Sequence, residues 1–140
     1  MTEKLLLYFK ELIKNLEKWK EYEKIKEEEF LTNEDYQNMV MHCMLRAIQT
    51  SIDIGNEIIR MKKFREPSSY KDVFEVLYEK KIIGKNLKEE LKFLASFRNV
   101  LVHLYLEIDL KKVYKTLKTK REVLEEFAKI VKKFIEESSN

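Results

Sequence analysis

The apolar positions along this 140-residue chain recur at helical spacing almost throughout. Leu5, Phe9, Leu12, Leu16 and Trp19 repeat at three- and four-residue steps, with Lys and Glu between them. That stripe predicts one amphipathic helix from residue 3 to about 29. Its most hydrophilic piece, residues 23–29, is expected to project into solvent. Thr32 stands as an N-cap answered by Asp35, and a second helix runs to about Lys63. Val40, Met44, Ala47, Ile48, Ile52 and Ile59 supply its apolar side. Arg46, Gln49 and Asp53 form a polar stripe on the same helix.

Pro67 breaks the pattern, because the residue before a proline is disfavoured in helical geometry. Ser69 caps a short third helix that ends near Lys81, with Val73, Phe74 and Leu77 inward. Gly84 suits a left-handed C-cap. Asn86, with Glu89 three residues on, caps a fourth helix carrying Leu87, Leu91 and Leu94. Residues 106–108 read as a link, and Asp109 caps a last helix. Val113, Leu117, Leu124, Phe127, Val131 and Phe134 mark its buried side. No repeat and no strand is visible. The expectation is an all-α fold, an antiparallel four- to five-helix bundle, with residues 1–140 as a single domain.

Composition adds modest constraints. Charged residues make up 38% of the chain, well above the ~25% of ordinary domains. The net charge of +3 does not by itself demand a nucleic acid. Residues 111–121 hold six basic side chains and no acid, so Lys111, Lys112 and Lys115 are candidates for tracking an RNA backbone. A solvated helix face explains such a run equally well. No aromatic stacking platform is identifiable. The single Cys43 fits a reducing compartment and reads as a small buried hydrophobe rather than a nucleophile. No apolar run reaches the ~18 residues of a membrane span. Met1 leads straight into charged amphipathic sequence, so a cytoplasmic protein without a secretory leader is expected. No metal-ligand spacing and no Gly-rich phosphate loop appears, so neither metal nor cofactor is expected.

Candidate chemistry concentrates in Ser96-Phe97-Arg98-Asn99-Val100-Leu101-Val102-His103-Leu104-Tyr105. Arg, Asn, His and Tyr interrupt an otherwise apolar helix, and an unpaired polar group buried there costs ~2–7 kcal/mol. They either satisfy one another or face a site. Asn99 and His103 are four apart and share a helix face. Arg98 and His103 are five apart, about 140° around a straight helix. One helix cannot easily aim both at one atom. The helix could break near His103, or a second copy of the chain could bring its own Arg and His to a shared cleft.

Arg98-Asn99-x-x-x-His103-x-Tyr105 resembles the R-x4-H-x-Y signature of the HepT-like toxins of the HEPN superfamily. Ala47-Ile48-Gln49-Thr50-Ser51-Ile52-Asp53-Ile54-Gly55 is similar to the second helix of that family. Pro67-Ser68-Ser69-Tyr70-Lys71-Asp72-Val73-Phe74 is similar to its central turn and third-helix start. Together the blocks span roughly residues 36–117, in family order. The resemblance implies the toxin of a type II toxin–antitoxin system. Its usual partner is an MntA-like nucleotidyltransferase antitoxin, with which it could assemble further. It also implies a homodimer through the motif helix.

The implied activity is metal-independent cleavage of RNA. The substrate's own 2′-hydroxyl is the nucleophile, so the protein needs a base, an acid and positive charge on the phosphorane-like transition state. Histidine suits the proton roles and arginine the third. On this reading Arg98 holds the scissile phosphate, His103 is general acid or base, and Asn99 supports one of them. The site forms across the dimer. The resemblance makes Tyr105 the acceptor of AMP groups from the antitoxin, an inactivating modification. Arg46 and Asp53 are expected to support the site from behind. The alternative is a helical module that docks a nucleotidyltransferase or holds a nucleotide without cutting RNA.

Overall fold

A computed structural model describes residues 3–103 and 107–138, all in helices and short connections. Seven helices are present among them: α1 (Glu3–Tyr22), α2 (Glu27–Thr32), α3 (Glu34–Lys62), α4 (Tyr70–Glu79), α5 (Lys85–Val102), α6 (Leu110–Thr119) and α7 (Arg121–Ser138). Helices α1, α3, α5 and α7 each pack on the next, and α7 returns to α1, which closes a four-helix bundle. The short α4 lies on α3 and α5, while α2 and α6 pack together beside α3. Among the described residues, no helix is long and apolar enough to cross a membrane.

The stripes read from the sequence are the buried faces. Leu5, Leu12, Leu16 and Trp19 of α1 are buried, as are Val40, Met44, Ala47, Ile48 and Ile52 of α3. Full burial of such side chains is worth ~1.5–3 kcal/mol each. Phe74 of α4 meets Phe127 of α7 edge-on, with ring centroids 5.8 Å apart. The Trp19 indole donates to the Leu117 carbonyl at 2.8 Å, so the largest core side chain leaves no polar atom unpaired. Gly55 lets α3 and α4 approach closely. A Cβ there would fall 2.5 Å from Val73 Cγ1.

Several boundaries differ from the sequence expectation. The first predicted helix is two, broken between Tyr22 and Glu27. The piece expected in solvent is mostly exposed, but the chain turns back there, because Phe30 is fully buried and anchors α2. Asn33, not Thr32, caps α3 by accepting from the Tyr36 amide, and the Thr32 hydroxyl donates back to Glu28. Gly84 precedes α5 with φ −84° and is no left-handed cap. The left-handed residue that closes α4 is Lys81, at φ 61°. Asn86 lies inside α5. The last predicted helix is broken at Lys120 into α6 and α7. The caps at Ser69 and Asp109 are as expected: Ser69 accepts from the Asp72 amide, and Asp109 from those of Lys111 and Lys112.

Arg65 fixes the turn between α3 and α4. It forms a two-pronged bridge to Asp72 at 2.8 and 2.9 Å and reaches Glu79 at 2.9 Å. Asp72 also accepts from the Ser68 amide at 2.8 Å. The Arg65 guanidinium, aided by the Ser68 amide, holds the Asp72 carboxyl well below the usual carboxylate range. The clamp sets where Tyr70, the first residue of α4, stands.

Candidate functional site

The site grows from the C-terminal half of α5. Buried Leu94, Ala95, Phe97 and Leu101 seat this half in the bundle, which leaves its other face open. Arg98 is half-buried. Its Nε–H donates to the side-chain carbonyl of Gln49 on α3. Its guanidinium carbon lies 4.6 Å from the centroid of the Tyr70 ring. Gln49 in turn donates from Nε2 to Asp53 Oδ1 at 3.0 Å. Asp53, Gln49, Arg98 and Tyr70 therefore form one connected chain across α3, α5 and α4. The Asp53 bond fixes which end of the Gln49 amide faces Arg98, since the opposite orientation would set donor against donor.

His103 is the residue at which α5 ends. It is exposed and serves as the C-cap, with φ −88° and ψ 58°, and its amide donates to the Asn99 carbonyl at 3.2 Å. Of the two options left open for Arg98 and His103, a helix break near His103 is present, since α5 stops there. Asn99 is exposed one turn earlier. Tyr105 lies outside the described residues.

Asn99 also lines a groove of about 470 Å³ between α3, α5 and the α3–α4 turn. Asn56 of α3, Ser96 of α5 and Tyr70 form its rim, and Val73 and Ala95 lie beneath. On the other flank of α5, a cleft of about 530 Å³ contains Lys111, Lys112 and Lys115. Lys120 and the aromatic ring of Phe93 join them there, with Lys120 Nζ 5.1 Å from the ring centroid.

One sequence expectation is corrected here. Arg46 does not stand behind Arg98. It pairs with Glu11 of α1, where its long side chain finds a carboxylate, and lines a separate cleft with His42 and Cys43. The lysine cleft also holds one aromatic ring, which stacks on Phe97 with centroids 6.1 Å apart. Phe93 is 37% exposed amid the lysines. The signal for it was the seven-residue step from Phe93 to Val100 on the open face of α5, which sets both on one side of the helix. Tyr70 appeared in the sequence only within a block of family resemblance, and nothing in its spacing tied it to Arg98. Cys43 is buried, donates to the Asn15 carbonyl, and is pushed up to about 11 by burial, so it is no nucleophile near neutrality.

YutE of Bacillus subtilis strain 168 is 30% identical over 95 residues, which cover 68% of this chain and 64% of YutE, just under two thirds of its length. The mRNA nuclease HepT of Shewanella oneidensis strain MR-1 is 31% identical over 96 residues, 69% of this chain and 72% of that protein. A crystal structure of a toxin–antitoxin with AMP-PNP superposes with a TM-score of 0.86 at 23% identity, covering 94% of this chain and 98% of that one. The tri-AMPylated Shewanella oneidensis HEPN toxin in complex with MNT antitoxin gives 0.85 at 24% identity, with the same coverage. These structures establish the HEPN-toxin fold for the described residues. The Ribonuclease HepT-like family model matches residues 12–131, and the chain belongs to that family.

Proposed function

We propose that this protein is the toxin of a toxin–antitoxin pair and cuts RNA without a metal ion. The observation that carries the reading is the fixing of Arg98. A cation held from behind by Gln49 and flanked by the Tyr70 ring is preorganised for an anion, and preorganised charge is worth most where transition-state charge develops. In the reaction, the 2′-hydroxyl oxygen attacks the adjacent phosphorus and loses its proton to a base. The bond from phosphorus to the 5′-oxygen breaks, and that oxygen takes a proton from an acid. Arg98 binds the phosphate oxygens, His103 transfers one of the protons, and Asn99 orients the phosphate or the imidazole.

One chain supplies one motif histidine, and the reaction moves two protons. A second copy supplies the other. Val100 and His103 are both exposed on the open side of α5, which supports a homodimer there. Lys111, Lys112 and Lys115 suit a single strand leading to the site, with phosphates on the amines, while Lys120 is paired with Glu90 at 2.6 Å. The partner is an MntA-like nucleotidyltransferase, and Tyr105 is the AMP acceptor. AMP there adds bulk and negative charge next to His103, which repels substrate phosphate.

The test is cleavage of total RNA in EDTA by wild type, Arg98→Ala and His103→Ala. Cutting by wild type alone is expected. Equal cutting by either variant overturns the assignment, and no cutting by an intact wild-type dimer moves the function to docking of the nucleotidyltransferase. Mass spectrometry after co-expression with the cognate transferase should find AMP on Tyr105.

A further inference from the structure

We infer that the groove between α3, α5 and the α3–α4 turn holds the base of a nucleotide flanking the phosphate that Arg98 grips. The inference rests on the nuclease reading and adds a specificity element to it.

The lining offers a base apolar and amide contacts, while Lys71, Ser68 and Ser69 at the start of α4 suit the phosphate that such a nucleotide carries. Val73 and Ala95 beneath are each 1% exposed and offer a dry apolar surface. The rim carries the amides of Asn56 and Asn99 and the Ser96 hydroxyl. Amides present a donor and an acceptor side by side, the pattern found on base edges, and single-stranded RNA is read by hydrogen bonds to those edges and by stacking on aromatic rings. Tyr70 supplies the ring, being 40% exposed. The volume of about 470 Å³ lies within the ~300–1,000 Å³ of small-ligand sites.

Tyr70 also sets the distance. It lines the groove while the Arg98 guanidinium lies over its ring at 4.6 Å, so the phosphate grip and the groove share one wall. A nucleotide whose phosphate meets Arg98 has its own or its neighbour's base within reach of Asn56 and Ser96. The groove is also rigidly framed. The Arg65–Asp72 clamp fixes the turn, and the contact of Gly55 with Val73 fixes α4 against α3.

The test has two arms. In the first, uncharged adenosine, guanosine, cytidine and uridine are titrated into wild type, Asn56→Ala and Ser96→Leu, followed by heteronuclear NMR. Uncharged nucleosides report the groove without help from Arg98. At least one should shift the signals of Asn56, Ser69 and Ser96, and Ser96→Leu, which fills the groove, should remove most of the shift. Asn56 is exposed, so its alanine variant remains folded if the leucine variant does not. In the second arm, cut sites in randomised RNA are sequenced for the same proteins and for Arg98→Ala. Wild type should show a base preference at one nucleotide beside the cut, flattened several-fold in Asn56→Ala. The inference is overturned if no nucleoside shifts these signals up to its solubility limit, or if the shifts and the base preference in both variants match those of wild type. Failure of the nuclease reading looks different. Arg98-dependent cutting is then absent while nucleoside shifts persist, and the groove loses its assignment to a flanking nucleotide.

Discussion

Gln49→Leu tests whether Arg98 is held from behind. Leucine nearly matches the size of glutamine but cannot accept the Arg98 Nε–H or donate to Asp53, so the middle link is removed and the volume roughly kept. A hydrogen bond to a charged group contributes ~1.5–3 kcal/mol. Gln49 and Arg98 are both only half-buried, so water replaces part of what is lost. The expected coupling is therefore below that range, ~1 kcal/mol. A double-mutant cycle with Arg98→Ala, measured by urea denaturation, isolates this coupling from whatever leucine gains by burial. The same loosening should lower kcat/KM on RNA by ~5-fold, since a tenfold change corresponds to 1.36 kcal/mol. A coupling within ~0.3–0.5 kcal/mol of zero would refute the reasoning, because non-interacting sites add to that accuracy.

Tyr70→Leu should reduce kcat/KM by ~2–5-fold through loss of an exposed cation–π contact worth ~0.5–1 kcal/mol, while Tyr70→Phe cuts RNA at nearly the wild-type rate. Gly55→Ala gains up to ~1 kcal/mol of helix propensity but loses ~1–3 kcal/mol to overpacking. Val73 is β-branched and 1% exposed and cannot swing clear, so the urea midpoint should fall, and a raised midpoint would contradict the close packing. Asp72 has a lowered carboxyl pKa in the fold, so its contribution is present above the unfolded value of ~3.9 and is lost as pH falls through the lower folded value. Asp72→Asn should be less stable than wild type at neutral pH, and urea midpoints should converge as pH drops well below about 4. Cys43, with a thiol at about 11 and 4% exposed, should react with an aromatic disulfide reagent at pH 8 far more slowly in the native protein than in urea.

Sequence periodicity found what is set by burial. The stripes on α1, α3 and α7 are apolar because they face the bundle, and such a signal survives averaging over many residues. Boundaries were harder because they rest on single side chains. One buried ring, Phe30, turns a solvent-bound extension into α2. Asn33 and Thr32 are both capping residues, and only the local backbone decides between them. The site divides in the same way. Gln49 and Asp53 are four apart on one helix, so their pairing was legible. The link from Gln49 to Arg98 spans 49 residues, and that from Arg98 to Tyr70 depends on how α4 is pinned. Arg46 sits on the same stripe as Gln49, but its side chain is long enough to reach Glu11 on α1, and a spacing rule cannot see which neighbour offers a carboxylate.

Arg98 and His103 are placed in opposite ways, and the proposed chemistry would account for the difference. A phosphate grip benefits from rigidity, because a cation that must reorganise around the developing charge loses part of what it could contribute. Arg98 is accordingly set inside the helix, half-buried, with partners on α3 and α4. A proton carrier has to follow an oxygen as its bond to phosphorus forms or breaks, and a residue locked within a helix reaches one direction only. His103 stands where the helix has already stopped, exposed, beyond the last residue with helical geometry. On a symmetric dimer the same arrangement supplies two carriers facing each other and two fixed grips behind them. In such a site a change at Arg98 or its partners acts on transition-state charge. A change at the end of α5 acts on proton transfer, and only the second should alter the pH–rate profile.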